Sequence, residues 1–243
     1  MQPDPNLVRE FAPTGRLRAA LNLGNAVLAH SRTAAERPAG VTIDLAQRLA
    51  ALLGVPAQLL QFDTAAKAGA ALAAGEADIG FMAIDPKRAE AIHFTAPYVQ
   101  IEGCYLVREG SPLRDNEEVD RPGTRVVAGE GSAYELFLSR QLRHAGLVKV
   151  ATSEAVVDAL AADPAIEVAA GVRQQLEADA RRLGGLRLLP GRFMVIEQAM
   201  AMPRGRSAAA RELLESFLAQ QRRAGFVREA LQRHGIEGAT PLP

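Results

Sequence analysis

The sequence contains few of the residues that usually build a chemical centre. Among its 243 residues there is one cysteine, Cys104, and no tryptophan. One cysteine cannot form a disulfide within the chain, and neither a Cys-x-x-Cys redox motif nor a Cys/His metal pattern is present. The four histidines are scattered without metal-ligand spacing, and no Walker loop, dinucleotide-binding glycine motif or Gly-x-Ser-x-Gly elbow occurs. We therefore expect no cofactor, no metal and no catalytic histidine.

An excess of one charge is also absent, as are long apolar runs. The 28 Lys and Arg residues balance 28 Asp and Glu residues, which argues against a nucleic-acid partner or an anionic membrane surface. No stretch approaches the roughly 18 consecutive apolar residues that span a bilayer. The first five residues lack the basic and apolar regions of a secretory signal. Either a signal has been removed, or the protein stays in the cytoplasm.

What is present is an alternation of short apolar strands with amphipathic helices, which predicts an α/β fold. A first group comprises strands at 17–23, 57–62 and 77–84, a polar loop up to residue 40, and helices at 41–53 and 64–74. A second group comprises strands at 103–107, 125–128, 166–170 and 186–189, with helices at 133–145, 153–162 and 174–183. Helices at 207–225 and 227–234 follow, and residues 241–243 are expected to be loose. We predict two α/β lobes joined by two crossings, residues 1–99 plus 195–243 and residues 100–194.

The most informative segment runs from Asp78 to Tyr98. An apolar strand ends in a turn, a lone Arg88 follows, and His93-Phe94-Thr95-Ala96-Pro97-Tyr98 leads out of the first group. A guanidinium is a planar fork that matches a carboxylate through two hydrogen bonds. Arg88 is thus a candidate anchor for a carboxylate, and the alternative is a surface arginine near a helix start.

This segment resembles the signature of the family 3 periplasmic solute-binding proteins, the polar-amino-acid receptors of ABC importers. Residues 40–46, 73–78 and 225–229 resemble further motifs of the family in the right order. The resemblance implies a two-lobed type II periplasmic-binding fold, hinge closure over a ligand, a periplasmic location, a monomer and a membrane permease as partner. It also implies that Arg88 grips the ligand's carboxylate.

A second candidate anion site is the turn at Gly131 and Ser132. The turn opens a helix after an apolar strand, so its backbone N–H groups and the hydroxyl can bind an anion. The family resemblance implies that this turn holds the same carboxylate from the second lobe. The alternative is an ordinary serine N-cap, and both roles are compatible.

The chain also departs from the family pattern. The resemblance implies an acidic partner for an ammonium near Val172, where this chain has Val172 and then Arg173. Arg173 would suit an organic acid without an amine, and its alternative is a solvent-facing residue at a helix start. Glu102 or Glu197 could instead pair with an ammonium, or be hinge and rim residues.

Two further differences lie in the first group. The first strand ends at Asn22, Gly24 and Asn25, where the family has an acidic or polar residue and an aromatic platform. The hydroxyl-rich segment before the arginine is replaced by apolar residues ending at Ala83, and it is about two residues shorter. These differences also leave open whether the ligand is an α-amino acid.

The sequence thus predicts a non-enzymatic solute-binding protein for a small carboxylate, either an amino acid or an amine-free organic acid. The predicted ligand-binding residues are Arg88, Ser132, Gly131, Ala133, Asn22, Asn25, Ala83, Arg173 and Val172. Two alternatives remain open: an enzyme resembling cyclohexadienyl or prephenate dehydratase on the same scaffold, with Glu102, Glu167 or Glu197 as the acid, and a ligand-sensing module.

Overall fold

The computed structural model describes residues 4–30 and 38–243, so part of the predicted polar loop lies outside the described residues. The fold is α/β, as predicted. The contacts divide the chain into two units: unit 1 comprises Met1–Gln100 and Glu197–Pro243, and unit 2 comprises Ile101–Ile196. The long strands β4 (Ile92–Arg108) and β9 (Met194–Pro203) carry the chain from one unit into the other.

Unit 1 is built on a sheet whose first strands are parallel. Its strands are β1 (Leu17–Asn22), β2 (Ala57–Phe62) and β3 (Ile79–Ala83), with the last part of β9. Strand β1 pairs in parallel with β2 and β3, and β3 pairs antiparallel with β9. Its helices are α1 (Pro5–Phe11), α2 (Val41–Leu53), α3 (Ala65–Ala73), α4 (Pro86–Ala89), α8 (Ala208–Arg223) and α9 (Phe226–Arg233).

Burial and helix capping explain where the strands and helices of unit 1 form. All five residues of β3 are buried, which is typical of a strand covered on both faces. One core cluster of the unit consists of Ala20, Ala68, Leu72, Ala77, Met82, Ile92 and Ala201. Helix α3 begins where the Thr64 hydroxyl accepts a hydrogen bond from Lys67 N at 3.2 Å. Helix α2 ends at Gly54, whose φ of 69° is easy only for glycine.

Unit 2 is built on three parallel strands that are joined to an antiparallel strand. Strands β5 (Arg125–Gly129), β6 (Gly146–Val150) and β7 (Val168–Val172) are parallel, with β5 between the other two. The last part of β4 pairs antiparallel with β7 and with β8 (Leu186–Leu188). The helices are α5 (Ala133–Gln141), α6 (Ala155–Ala162), α7 (Arg173–Leu183) and a short 3-10 helix at Asn116–Glu118. The core cluster consists of Cys104, Leu106, Val127, Val156, Val157, Leu160, Ile166, Ala169 and Leu176.

Several sequence-based boundaries were wrong. Helix α5 ends at Gln141 rather than at residue 145, and residues 146–150 form strand β6, which was not predicted. Helix α1 was also missed, although Asp4 as N-cap followed by Pro5 is a recognised helix start. The carboxyl end is held in place, because β10 (Thr240–Pro241) pairs with β4 and Leu242 N donates to Tyr98 O at 3.0 Å.

The described part of the chain has neither a membrane-spanning helix nor a cluster of metal-binding side chains. No helix there combines the length and the apolar character needed to span a membrane. No group of His, Cys, Asp and Glu residues among residues 4–30 and 38–243 could hold a metal ion.

Candidate functional site

The candidate residues of unit 1 lie at one edge of its sheet. Because β1 and β3 are parallel neighbours, their carboxyl ends meet at the same edge. Asn22 is the last residue of β1, and Ala83 is the last residue of β3. Ligands of open α/β sheets bind outside the carboxyl ends of the strands. The fold therefore places the predicted residues of unit 1 where a ligand site is expected.

The two asparagines of the turn after β1 differ in the hydrogen bonds of their side-chain oxygens. The Asn22 side-chain oxygen accepts a hydrogen bond from Gly24 N at 3.1 Å. A side chain at Gly24 would be only 2.6 Å from the Asp63 carbonyl oxygen, which explains the glycine. The Asn25 carbonyl accepts from Leu28 N and Ala29 N, both at 3.1 Å. The Asn25 Oδ1 atom is buried and has no hydrogen-bond partner among the described residues.

Arg88 is positioned by the turn that follows β3. Asp85 caps helix α4 by accepting from Lys87 N at 2.9 Å, and Pro86 occupies the first helical position. The Arg88 Nη1 atom then donates to the Ala83 carbonyl oxygen at 2.9 Å. The guanidinium is thereby turned back onto the end of β3 and half-buried. It also lines a shallow groove of about 210 Å³, together with Ala65, Ala66, Gly69, Ala70, Ala73, Ala91 and Ile92.

The turn between β5 and α5 in unit 2 is a serine N-cap. The Ser132 hydroxyl accepts from Glu135 N at 3.1 Å, and Gly131 N donates to the Glu135 carboxylate at 3.0 Å. Ser132 is 7% exposed, and Gly131 has a φ of 68°. The structural role of Ser132 is therefore present. The N–H groups of Ala133 and Tyr134, at the first two helical positions, have no acceptor within the helix and can bind an anion.

Glu135 is a buried carboxylate that supports this turn. It is 2% exposed, lies 2.8 Å from Lys149 Nζ, and accepts from the Ser139 hydroxyl at 2.6 Å. Burial alone would raise its pKa, but Lys149, Ser139 and the Gly131 amide together hold the pKa below its usual value. The carboxylate is thus ionised at neutral pH and fixes the geometry of the turn.

Replacing Glu135 by Gln is expected to lower the free energy of unfolding by about 1–3 kcal/mol at pH 7. The pKa of Glu135 is lowered in the folded state, so its contribution is present above the unfolded pKa of about 4.3 and is lost as the pH falls through the folded value. Urea unfolding of both proteins at pH 7 and pH 3 measures this difference. An equal difference at both pH values would contradict the ion pair with Lys149.

Arg173 begins helix α7 and is paired, not simply exposed to solvent. Its Nε atom donates to Glu102 Oε2 at 2.6 Å, and its Nη2 atom donates to the Gly191 carbonyl oxygen at 2.6 Å. Arg192 Nη1 donates to the other Glu102 oxygen at 2.7 Å. The hydrogen bond from Arg192, and then that from Arg173, lower the pKa of Glu102. The idea that Arg173 only points to solvent was wrong, because its side chain is 26% exposed and ion-paired.

The remaining candidates have simpler surroundings. Val172 ends β7 opposite Gly103 of β4 and precedes Arg173 without a side-chain cap. Glu197 accepts a hydrogen bond from the Gln100 side chain at 3.1 Å. Cys104 is fully buried, as expected for a small apolar residue, and burial raises the pKa of its thiol to about 11. A thiol in this state is not a nucleophile.

The structure adds Arg192 to the candidate residues. No local motif marks this residue, which lies in the irregular segment just before β9. It is placed beside Glu102 because Phe193 N donates to the Gly103 carbonyl oxygen at 3.0 Å. The strand pairing of unit 2 brings these two residues together, and no local sequence pattern marks the contact.

A protein-family model and several solved structures match this chain. The family model for bacterial extracellular solute-binding proteins, family 3, matches residues 26–236. None of the curated proteins matches this chain in sequence. Among solved structures, the solute receptor for L-cysteine of Neisseria gonorrhoeae is 20% identical with a TM-score of 0.80, covering 95% of each chain.

Two other solved structures have the same fold. One is a binding component of an ABC transporter from Wolinella succinogenes DSM 1740, complexed with lysine; it is 22% identical, with a TM-score of 0.76, covering 90% of this chain and 95% of that one. The other is the ancestral amino-acid-binding protein AncCDT-1, a precursor of cyclohexadienyl dehydratase. It is 18% identical, with a TM-score of 0.78, covering 95% of this chain and 99% of that one.

Proposed function

Because the chain belongs to the bacterial extracellular solute-binding proteins, family 3, we propose that it binds a small solute with a carboxylate group and delivers it to an ABC importer. The observation that carries the proposal is the position of Arg88. Its guanidinium is half-buried at the carboxyl edge of the unit 1 sheet and is oriented by the Ala83 carbonyl oxygen at 2.9 Å. A cation fixed in advance loses little conformational freedom when it binds an anion.

Unit 2 contributes a second group of donors in this proposal. The first-turn N–H groups of Ala133 and Tyr134 point out of the amino terminus of α5, where the helix dipole favours negative charge. The Ser132 hydroxyl and Glu135 hold this turn in shape. We assign the carboxylate of the solute to Arg88, and this turn of unit 2 is a second anion-binding group.

A dehydratase is the second candidate, favoured by the likeness to the precursor AncCDT-1. Such an enzyme needs a carboxylic acid that can donate a proton near neutral pH. Glu102 does not suit this role, because two arginines lower its pKa. Glu167 accepts from Arg125 N at 2.7 Å, and Glu197 accepts from Gln100. We therefore propose that the chain is not an enzyme; release of product from prephenate or arogenate by the purified protein would contradict this.

The test of carboxylate binding is a thermal-shift panel of small acids, with and without an amine, beside their carboxamides. A ligand at about 100 times its dissociation constant adds about 2.7 kcal/mol to the free energy of unfolding. At least one acid is expected to raise the melting temperature clearly, and its carboxamide is not. If the carboxamides stabilise the protein as well as the acids, a carboxylate is not what the site recognises.

Import and sensing make different predictions for the same binding site. For import, we expect the gene to lie beside permease genes, and its deletion to abolish uptake of the solute identified in the panel. For a sensing module, we expect a neighbouring regulator and unchanged uptake. We propose import, a periplasmic or extracellular location and a monomeric state.

A further inference from the structure

Three charged side chains of unit 2 form one ion-paired group. They are Glu102, Arg173 and Arg192, and we call them the arginine–glutamate cluster. Gly103 of β4 is paired with Val172 of β7, so Glu102 lies beside the first residue of α7. Strands β5 and β7 are parallel neighbours, and the cluster therefore lies at the same edge of the sheet as the anion-binding turn.

Glu102 is fully occupied within this cluster. Its Oε2 atom accepts from Arg173 Nε at 2.6 Å, and its Oε1 atom accepts from Arg192 Nη1 at 2.7 Å. Charge-assisted hydrogen bonds of this kind are among the strongest in proteins. Two guanidinium groups surround one carboxylate, so the cluster carries one excess positive charge.

Glu177 is the nearby carboxylate that offsets part of this positive charge, through a long ion pair with Arg173 that solvent screens. Glu177 lies 3.8 Å from Arg173 Nη1 and is 40% exposed. Glu135 is enclosed with Lys149, and the exposed Glu130 also acts electrostatically on Lys149. Glu154 is exposed at the N-cap of α6, and no ion pair joins it to the cluster among the described residues.

The two arginines of the cluster differ in their exposure and in how many of their N–H donors are already used. Arg173 is 26% exposed, and its donors are shared with Glu102 and the Gly191 carbonyl oxygen. Arg192 is 52% exposed, and its guanidinium contacts Glu102 through Nη1. Arg192 is therefore the residue whose fork can reach a solute, and Arg173 holds Glu102 in place.

We propose that the arginine–glutamate cluster rejects an ammonium group and accepts a carboxylate, so that the solute is an amine-free dicarboxylate. This inference rests on the proposed function, because it specifies the solute of the same site. An ammonium beside the cluster would face two guanidinium groups, and like charges oppose binding; both oxygens of Glu102, the carboxylate of the cluster, are already bonded to arginines. A second carboxylate of the solute would bind Arg192.

The test uses matched pairs that differ in the amine: 2-oxoglutarate with glutamate, succinate with aspartate, and 4-methyl-2-oxopentanoate with leucine. Isothermal titration of each is carried out on the wild type, on Arg192→Gln and on Arg181→Gln. Arg181 lies exposed in the last turn of α7, and its replacement removes the same charge outside the cluster. We expect the better amine-free dicarboxylate to bind the wild type at least about tenfold tighter than its amino partner, which is roughly 1.4 kcal/mol.

The variants separate this proposal from a general preference for anions. Arg192→Gln is expected to weaken binding of the dicarboxylate about tenfold and to reduce its advantage over the amino acid, because one Glu102 oxygen is then uncompensated. Arg181→Gln is expected to bind as the wild type does. An amino acid that binds the wild type as tightly as its partner, or an advantage unchanged in Arg192→Gln, would overturn the proposal. Failure of every acid to bind would instead contradict the proposed function itself.

Discussion

Replacement of Arg88 by Gln is expected to weaken binding of the carboxylate solute by about 100-fold or more. In the proposed site the guanidinium forms a charge-assisted, two-bonded pair with the solute's carboxylate, and its removal leaves that anion unpaired at a cost of about 3 kcal/mol. The Ala83 carbonyl oxygen, 2.9 Å from Arg88 Nη1, fixes the fork before the ligand arrives. Isothermal titration with the strongest acid of the panel measures the change.

Lys87→Gln is the matched control for this prediction. Lys87 precedes Arg88 in helix α4, is exposed, and loses the same single charge on substitution. We expect Lys87→Gln to bind the acid within about threefold of the wild type, because exposed charges contribute little. Thermal unfolding of both variants without ligand shows whether the fold is intact. Equal losses in the two variants would mean that general charge, and not the Arg88 fork, attracts the solute.

The largest expected loss of stability comes from replacing Asp78 by Ala. The Asp78 side chain is fully buried and accepts from Arg18 Nε at 3.0 Å, Arg18 Nη2 at 2.8 Å and Arg206 Nη2 at 3.1 Å. It also accepts from Arg18 N at 2.9 Å. Its removal leaves two arginines without their anion where β1, β3 and the start of α8 meet. The expected decrease in the free energy of unfolding is about 3 kcal/mol, measured by urea denaturation.

Asp63→Ala provides the comparison for Asp78. Asp63 forms an ion pair with Lys67 at 2.6 Å, but both side chains are more than half exposed. The expected loss is much smaller than that of Asp78→Ala, because solvent screens such pairs. If the two substitutions lower the free energy of unfolding by similar amounts, burial does not determine how much these ion pairs stabilise the fold. The midpoint and the slope of the urea transition must both be compared, since a changed slope would indicate an altered unfolded state.

Much of the fold followed from local patterns. Helix α2 was predicted at 41–53, and the structure has it at Val41–Leu53, because apolar residues recur at helical spacing and Gly54 ends it. Elements that depend on distant partners were missed. Residues 240–241 form a strand only because β4 supplies backbone partners at Gln100 and Val99. No local pattern in a proline-rich end indicates such pairing.

For the candidate site, too, local features could be predicted from the sequence and contacts between distant residues could not. The position of Arg88 after β3 and of Ser132 at a helix start could be read from the order of strands, glycines and helices. The charge environment of Arg173 could not. Its pairing with Glu102 joins residues 71 positions apart, and Arg192 reaches Glu102 from 90 positions away. Long-range pairing of this kind depends on sheet register, which a single sequence does not determine.

A crystal structure of the protein with the strongest acid of the panel tests the central claim most directly. The account predicts that the solute's carboxylate lies about 2.7–2.9 Å from the guanidinium nitrogens of Arg88. A carboxylate bound away from Arg88, or a solute held at Arg88 through a neutral group, would contradict the account.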